Sequence, residues 1–490
     1  MLTFYFSGHN FEYEARNALR IFDLNINYEI KNIVQLKENK ELGIVSTLEE
    51  KEGVLISTSL LYWDNDLLYS SKYRSDEILL EKDNEKKLKK ILIVKAMHQV
   101  LKSYYKVIPD YGILTGVRVV KIMLTARKYG NSDEKIKKIL KETYEVTDEK
   151  IKLLFDIIEI EEKYIDDEVN MNNYNLYIGI PFCPTKCSYC SFTSYVNCND
   201  DKINAYLDTL VYEIEKTIEF ALNKNLNLNT VYIGGGTPSV LNEEQINRIF
   251  KSIKKFYDLY KIREITFEAG RPDTLSKEKL ICLKNNFVNR ISINPQTMNG
   301  KTLKAMKRNH TVEDIVEKYQ IAREIGFESI NMDIILGFPG ETEEDVKHTI
   351  EEVIKLRPEN ITVHCLAYKK NSELTRESSE LLKDYELIRK MHDVIKEKSK
   401  NHGYKPYYMY RQKNIKGNSE NVGYTLLSKE SIYNMIIIEE METILACGIG
   451  ASSKIMTEYN KHVPVRNFKS LEEYSARIDE IINKKKKLLQ

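Results

Sequence analysis

From residue 176 onward the chain repeats one pattern. Short apolar runs at 176–180, 230–233, 265–267, 290–293, 330–336 and 361–366 alternate with stretches of helical length at 201–222, 243–258, 276–286, 299–325, 342–356 and 382–402. Runs of that length read as strands, and the stretches between them are long enough to be crossover helices. Six strand-then-helix units in succession predict an α/β core over 172–402. Its sheet is parallel with right-handed crossovers, either doubly wound or curled into a barrel.

The flanks have a different texture. Over 1–75, β-type runs such as 2–6 and 54–61 mix with polar turns, and the single tryptophan, Trp63, lies just after the second; this predicts a small α+β unit. Over 76–165 apolar residues recur every three or four positions, as in Leu88, Ile91, Leu92, Val94 and Met97, the spacing of amphipathic helices. The basic run KKLKK (86–90) reads as the solvated face of such a helix. YGILTGVR (111–118) interrupts these helices with two glycines and an arginine, as a functional loop or as a helix-capping turn. The acidic, asparagine-rich stretch 165–175 reads as a linker. After residue 402 the tyrosine-rich GYKPYYMYRQ and a short α/β tail predict a small C-terminal α/β domain over 403–490, with KKKK at 484–487 as a solvated helix end.

Composition narrows the function. A length of 490 residues leaves room for two or three domains, each with its own core. Lysine plus arginine (74) balances aspartate plus glutamate (73), which argues against nucleic acid or an anionic membrane as the partner. The first residues carry acidic groups where a signal peptide would be apolar, and no stretch approaches 18 apolar residues. A cytoplasmic protein is therefore expected, and in that reducing compartment clustered cysteines bind metal or do chemistry more often than they form disulfides.

Three of the seven cysteines are clustered in one loop, GIPFCPTKCSYCSF, directly after the first strand of the repeat. Pro181 and Pro184 prevent continued strand or helix there, so the loop can wrap Cys183, Cys187 and Cys190 around one centre. Thiolates select zinc, copper(I) or an iron–sulfur cluster. A structural zinc site wants four closed ligands; Cys198 is the one candidate nearby, while Cys282, Cys365 and Cys447 are isolated. Three ligands without an obvious fourth describe an open site on a cluster, with one iron left for another molecule.

Polar residues recur at the later strand ends. GGGTPS (234–239) follows the second strand with glycines that permit close backbone approach, although a plain tight turn would also explain them. Glu268 ends the third strand in FEAGRPD, Gln296 follows the fourth in SINPQTM, and Asp333 sits within the apolar fifth, INMDIIL, where a carboxylate is costly to bury without a partner. Arg308, in KAMKRNHT, is a candidate countercharge for a carboxylate.

The CxxxCxxC loop on a β/α repeat resembles the radical S-adenosylmethionine (SAM) enzymes. That resemblance implies a partial (β/α)6 barrel and a [4Fe–4S] cluster held by Cys183, Cys187 and Cys190. The amino and carboxylate groups of SAM would chelate the fourth iron, and SAM would be cleaved to methionine and a 5′-deoxyadenosyl radical. More narrowly, YIGIPFCPTKCSYCSF, GGGTPS, NRISINPQ, LKAMKRNHT and MDIILGFPGET are similar in order and wording to the oxygen-independent coproporphyrinogen III oxidase group, over roughly 174–370. By matching position, Tyr177, Gly235, Gly236, Thr237, Glu268, Gln296, Arg308, Asp333 and Ala367 would line SAM, and Tyr189 would stand against the cluster.

GILTGVR, FEAGRPDT, YYMYRQKNIKGNSENVGY and IIIEEMETILACGIGAS extend the likeness over nearly the whole chain, to coproporphyrinogen dehydrogenases of HemZ type. The resemblance implies a tetrapyrrole substrate whose two propionates become vinyl groups, and a low-potential electron donor such as flavodoxin or ferredoxin. Arg118, Arg271 and Arg411 are candidates for meeting the substrate's carboxylates. One departure stands out: Phe192 occupies the place where the oxidase group carries a further cysteine, as it does in related haem chaperones. A haem chaperone on the same scaffold is the second reading, with His310, His364 and Cys365 as candidate axial ligands. Another radical SAM reaction on a tetrapyrrole is the third.

Overall fold

The core strands of the repeat form where apolar residues are covered on both faces, and most of its crossover helices start at a polar cap. Both are visible in the computed structural model, which describes residues 1–490 except 24–25, 32–40, 81–83, 117, 166–169, 193, 370–371, 375–380, 413–414, 459–460 and 490. Residues 166–169 of the expected linker therefore lie outside the described residues. The chain divides into two compact units, one of residues 1–159, 378–386 and 410–419, the other of 160–377, 387–409 and 420–490.

In the first unit, β1 (Leu2–Ser7), α1 (Glu12–Phe22), β2 (Tyr28–Lys31), β3 (Leu42–Lys51), β4 (Val54–Trp63) and β5 (Asp66–Arg74) make a five-stranded sheet in the order β2-β1-β3-β4-β5. The long helix α2 (Glu85–Tyr105) starts at Asn84, whose side chain accepts from the Lys87 amide. Its Ile93, Met97, Val100 and Leu101 join Leu2, Phe4, Ile44, Leu61 and Phe22 in a single core. The α+β stretch and the first of the helices expected after it thus share one hydrophobic interior. Three further helices follow, α3 (Val120–Lys128), α4 (Asp133–Lys138) and α5 (Asp148–Glu161). Gly112 is forced by close approach: its φ is +50° and a Cβ would lie 2.0 Å from the Tyr144 carbonyl oxygen.

The second unit carries the repeat. β6 (Asn173–Ile180), β9 (Asn227–Gly235), β10 (Glu264–Glu268), β11 (Arg290–Ser292), β12 (Ser329–Leu336) and β13 (Asn360–Cys365) are neighbours in chain order and all parallel; β7 (Phe182–Cys183) and β8 (Tyr195–Val196) form a small separate ribbon. The crossovers are α6 (Asp200–Asn223), α7 (Glu243–Lys254), α8 (Lys277–Asn285), α9 (Gly300–Ala305) with α10 (Val312–Ile325), and α11 (Glu343–Leu356); α12 (Leu381–Asn401) follows β13. One helix was expected at 299–325. The chain makes two, because Thr311 starts afresh with a capping box to Asp314. This is the parallel α/β core expected from the repeat, in the partial-barrel form that the resemblance implies.

The tail adds strands to both edges of this sheet. β14 (Lys405–Tyr410) and β15 (Asn421–Thr425) continue beyond β13, with β15 antiparallel to it. After α13 (Ile432–Glu439), β16 (Thr443–Cys447) runs parallel to β6, and β17 (Ser452–Glu458) and β18 (Lys461–Arg466) extend that edge. The reason is that an open parallel sheet leaves two rows of unpaired backbone groups, and these strands satisfy both. The closing helices are α14 (Leu471–Ala476) and α15 (Ile478–Leu489). Lys485, expected on a solvated helix end, is fully buried against Glu213. No helix among the described residues is long and apolar enough to cross a membrane.

Candidate active site

The cysteine loop starts two residues past the end of β6 and is tied down by backbone bonds on either side. Gly236 N donates to Ile180 O (2.8 Å), Thr237 N to Phe182 O (2.7 Å) and Tyr195 N to Pro181 O (2.7 Å). Cys183 Sγ accepts from Thr237 Oγ1 (3.4 Å), and Cys187 Sγ lies 3.8 Å from Arg271 Nη1. Burial pushes the thiols of Cys183 and Cys190 up, and the charge of Cys187 adds to both, so the three sulfurs share one electrostatic space. Among the described residues no three of His, Cys, Asp and Glu converge as ligands for a single ion. Cys198, the candidate fourth zinc ligand, directs its thiol to Val196 O (3.9 Å).

The glycine turn sits against this loop. Gly235 has φ +114°, and a Cβ on Gly236 would lie 2.6 Å from Phe182 O and 3.1 Å from Cys183 Sγ. A side chain there would fill the space beside the sulfur. The amides of Gly235, Gly236 and Thr237 are spent inside the protein, on Glu268 Oε2 (3.1 Å) and on the two carbonyls named above. What the turn can offer a ligand is therefore carbonyl oxygen, the acceptor that an amino group needs.

Beyond it the strand ends converge in order. Glu268 accepts from Tyr232 OH (2.5 Å) as well as from Gly235 N. Burial raises its pKa from the ordinary 4.5 to about 7, against the pull of those donors. Tyr177 is half-buried and stacks on Tyr232, ring centres 6.2 Å apart. Gln296 adopts φ +66° while its backbone bridges β12 (Gln296 N to Asp333 O and Ile335 N to Gln296 O, both 2.8 Å), and its side-chain Oε1 is buried with no hydrogen-bond partner. Asp333 meets the cost of burial with Asn331 Nδ2 (2.7 Å) and His364 Nε2 (3.7 Å). Burial works to raise its pKa, but His364, Asn331 and Thr362 outweigh that and hold it below the usual carboxylate value. Ala367 lies half-buried two residues beyond β13.

Arg308 closes the set. It donates from Nη1 to Tyr189 OH (2.9 Å) and from Nη2 to Gly270 O (3.1 Å) and Asn294 O (2.8 Å), while its buried Nε has no partner. Tyr189 packs in an apolar cluster with Met306, Ile335, Phe338 and Leu366.

Residues 177–353 match the family described as the Radical SAM superfamily. Over 96% of its length the chain is 37% identical to the oxygen-independent coproporphyrinogen-III oxidase-like protein HemZ of Bacillus subtilis (strain 168), covering 97% of that protein. The chain belongs to the radical SAM superfamily. Within it the chain is coproporphyrinogen oxidase-like. The heme chaperone HemW of the same organism is 34% identical over 47% of this chain and 61% of its own. Coproporphyrinogen III oxidase (HemN) from Escherichia coli shares the fold, with a TM-score of 0.51 at 23% identity over 64% of this chain and 70% of that one.

Members of this family bind a [4Fe–4S] cluster and SAM, and the residues present fit both groups. Three thiols share one space, a Cβ on Gly236 would crowd Cys183 Sγ, and among the described residues two buried polar atoms, Gln296 Oε1 and Arg308 Nε, have no partner.

The arginines expected to meet a substrate fare differently. Arg271 is buried and committed to Asp273 and the cysteine loop, and Arg411 is buried and committed to Leu114 O and Asn418. Arg118 is half-buried. Of the candidate axial ligands, His310 is buried with Nδ1 3.9 Å from Asp273, His364 serves Asp333, and Cys365 Sγ is 3.0 Å from His392 Nε2. Sequence reasoning missed Tyr232, Asn294, Asn331 and Tyr433. Tyr232 sits in a strand read as plain apolar, and Tyr433, stacked on it at 4.4 Å, comes from a helix 201 residues later (433 − 232).

Proposed function

We propose that this protein carries out the oxygen-independent oxidative decarboxylation of coproporphyrinogen III, converting two propionates to vinyl groups and giving protoporphyrinogen IX. The observation that supports this is that its likeness to the HemZ protein runs through both ends of the chain, beyond the radical SAM core shared with the heme chaperones. When bound, the cluster and SAM would supply a 5′-deoxyadenosyl radical able to take hydrogen from the propionate β-carbon; loss of CO2 from the substrate radical then gives the vinyl group and passes one electron to a one-electron acceptor.

The chain's own residues bind and shield. Cys183, Cys187 and Cys190 hold the cluster, and the Gly235 and Gly236 carbonyls accept from the SAM amino group. Arg308 faces its carboxylate, and Tyr177, Thr237, Glu268, Gln296, Asp333 and Ala367 line the remainder. Tyr189, backed by Phe338 and Met306, keeps water from the cluster loop. An external low-potential donor, such as flavodoxin or ferredoxin, delivers the electron.

The test is anaerobic reconstitution with iron and sulfide, followed by SAM, a reductant and coproporphyrinogen III. Both 5′-deoxyadenosine and vinyl product are expected; 5′-deoxyadenosine without vinyl product would sink the oxidase reading alone. Cys183→Ala should lose the cluster absorbance, whereas Cys198→Ala should keep it. Phe192 favours a second reading, a chaperone that hands haem to a client. Stable stoichiometric haem binding without SAM cleavage is its signature.

A further inference from the structure

Arg271 is the one guanidinium within reach of a cluster-loop sulfur among the described hydrogen bonds, and its three nitrogens divide their work. Nε and Nη2 grip Asp273 Oδ1 and Oδ2 at 3.0 and 2.7 Å, a two-pronged fork that fixes the plane of the group. Nη1 is thereby aimed the other way. It donates to Thr185 Oγ1 (2.8 Å) and Thr185 O (3.2 Å), inside the loop between Cys183 and Cys187, and lies 3.8 Å from Cys187 Sγ.

The side chain is only 5% exposed and so is little screened by solvent. Asp273 pairs its charge on one side, and the cysteine loop lies against its Nη1. On the far side of Asp273 stands His310, buried and held neutral by its own burial and by Arg308, with a pKa near 4, so it brings no second positive charge. A lysine at position 271 has one nitrogen and could not hold Asp273 bidentately while reaching both Thr185 and Cys187.

We infer that Arg271 is a positioning residue for the cluster. It fixes the Cys183–Cys187 segment through Thr185, and its Nη1–H stabilises the more negative, one-electron-reduced state of the cluster at Cys187, raising its reduction potential. The physical basis is that adding an electron to an iron–sulfur cluster is favoured by nearby positive charge and by hydrogen bonds to its sulfurs. This rests on the proposal that the three cysteines are the cluster ligands. It gives Arg271 a place in electron entry rather than in substrate binding.

The experiment is a reductive titration of the reconstituted full-length protein without substrate, followed by the electron paramagnetic resonance signal of the reduced cluster. Arg271→Gln is expected to bind the cluster with a midpoint shifted to lower potential. Asp273→Asn, which keeps the guanidinium and removes its counter-charge, should bind the cluster with a midpoint above that of Arg271→Gln. Arg271→Lys should recover only part of the loss. A midpoint unchanged in Arg271→Gln would overturn the inference. So would loss of the cluster in both Arg271→Gln and Asp273→Asn with circular dichroism unchanged, which would leave Arg271 a structural anchor only. Failure of the wild-type protein to take up a cluster would strike the cysteine assignment instead.

Discussion

Two buried polar clusters in the second unit differ in one respect, and the difference separates scaffold from site. Around Glu213 both charged groups are fully partnered, and Asn467 Oδ1 is the one side-chain atom of this network left without a partner among the described residues. Its Oε1 accepts from Lys485 Nζ (2.7 Å) and Asn467 Nδ2 (2.8 Å), and its Oε2 from Gly448 N (2.8 Å) and Tyr474 OH (2.5 Å). Lys485 in turn gives its remaining protons to Ala446 O (2.7 Å) and Thr217 Oγ1 (3.4 Å). At the strand ends, by contrast, Gln296 Oε1 and Arg308 Nε are buried with no partner among the described residues. A network whose carboxylate and ammonium are both satisfied joins α15 to α6 and the β16 edge as scaffold, whereas unpartnered groups on side chains at converging strand ends are placed to be completed by a ligand. Lack of a partner alone is not enough. Glu161 also has two unpartnered buried oxygens, but burial and the charge of Glu439 push its pKa well up, so it can stay protonated away from the site.

The largest effect should come from breaking the saturated side. Lys485→Ala leaves Glu213 buried with its countercharge gone, and is expected to cost about 3–5 kcal/mol, read as a fall in the urea midpoint of the second unit. The paired change Lys485→Met with Glu213→Leu should recover most of it. A loss below about 1 kcal/mol in the single variant would show that this network does not hold the closing helix.

Next is Glu268, the carboxylate between the two conditions, with donors on both oxygens but a pKa of about 7. Because its folded pKa is raised, the stability tied to its proton is full below the ordinary 4.5 and is lost as pH rises through about 7. In the cofactor-free protein this amounts to something on the order of 3 kcal/mol. Urea midpoints at about pH 5 and about pH 8 should differ accordingly in the wild type and much less in Glu268→Gln. Equal slopes in the two proteins would assign the pH dependence elsewhere.

Gln296 then tests the unsaturated side directly. Gln296→Met keeps the length and removes the unpartnered oxygen, so the cofactor-free protein should hold its stability or gain about 1 kcal/mol while SAM binding weakens about tenfold. A loss of stability with SAM binding intact would show that the oxygen has a partner within the protein.

Much of this contrast was readable from the sequence, for physical reasons. Strands of the repeat announce themselves because each is an apolar run bounded by turn residues, and site residues fall at their ends because that is where a parallel sheet leaves side chains uncovered. Cys183, Cys187 and Cys190 are local, eight residues from first to last, and so are legible. What joins distant segments was not. Nothing at Glu213 announces a lysine 272 residues away (485 − 213), and KKKK reads as solvent-facing until the helix is docked. Arg271 stood out in sequence, but its contacts with Thr185 and Cys187 in the cysteine loop did not. That the tail's strands pair with both edges of the sheet was not legible either, because edge pairing depends on which rows of backbone are left open, and that is a property of the finished sheet.

The smallest effect is expected at Phe192, and it bears on what completes the site. Its ring is 64% exposed, two residues past Cys190, so it belongs to neither buried cluster and has no desolvated polar group to satisfy. Phe192→Cys should therefore change stability by less than about 0.5 kcal/mol. If three thiols and SAM complete the cluster, the added cysteine has no iron left to bind, and iron and sulfide per chain should remain those of the wild type. A further iron-bound thiolate, seen as a changed spectrum that SAM no longer perturbs, would mean that the open coordination position can be closed from this side of the loop. Phe192 would then be the residue that keeps it available, through the absence of a thiol rather than through any contact of its own.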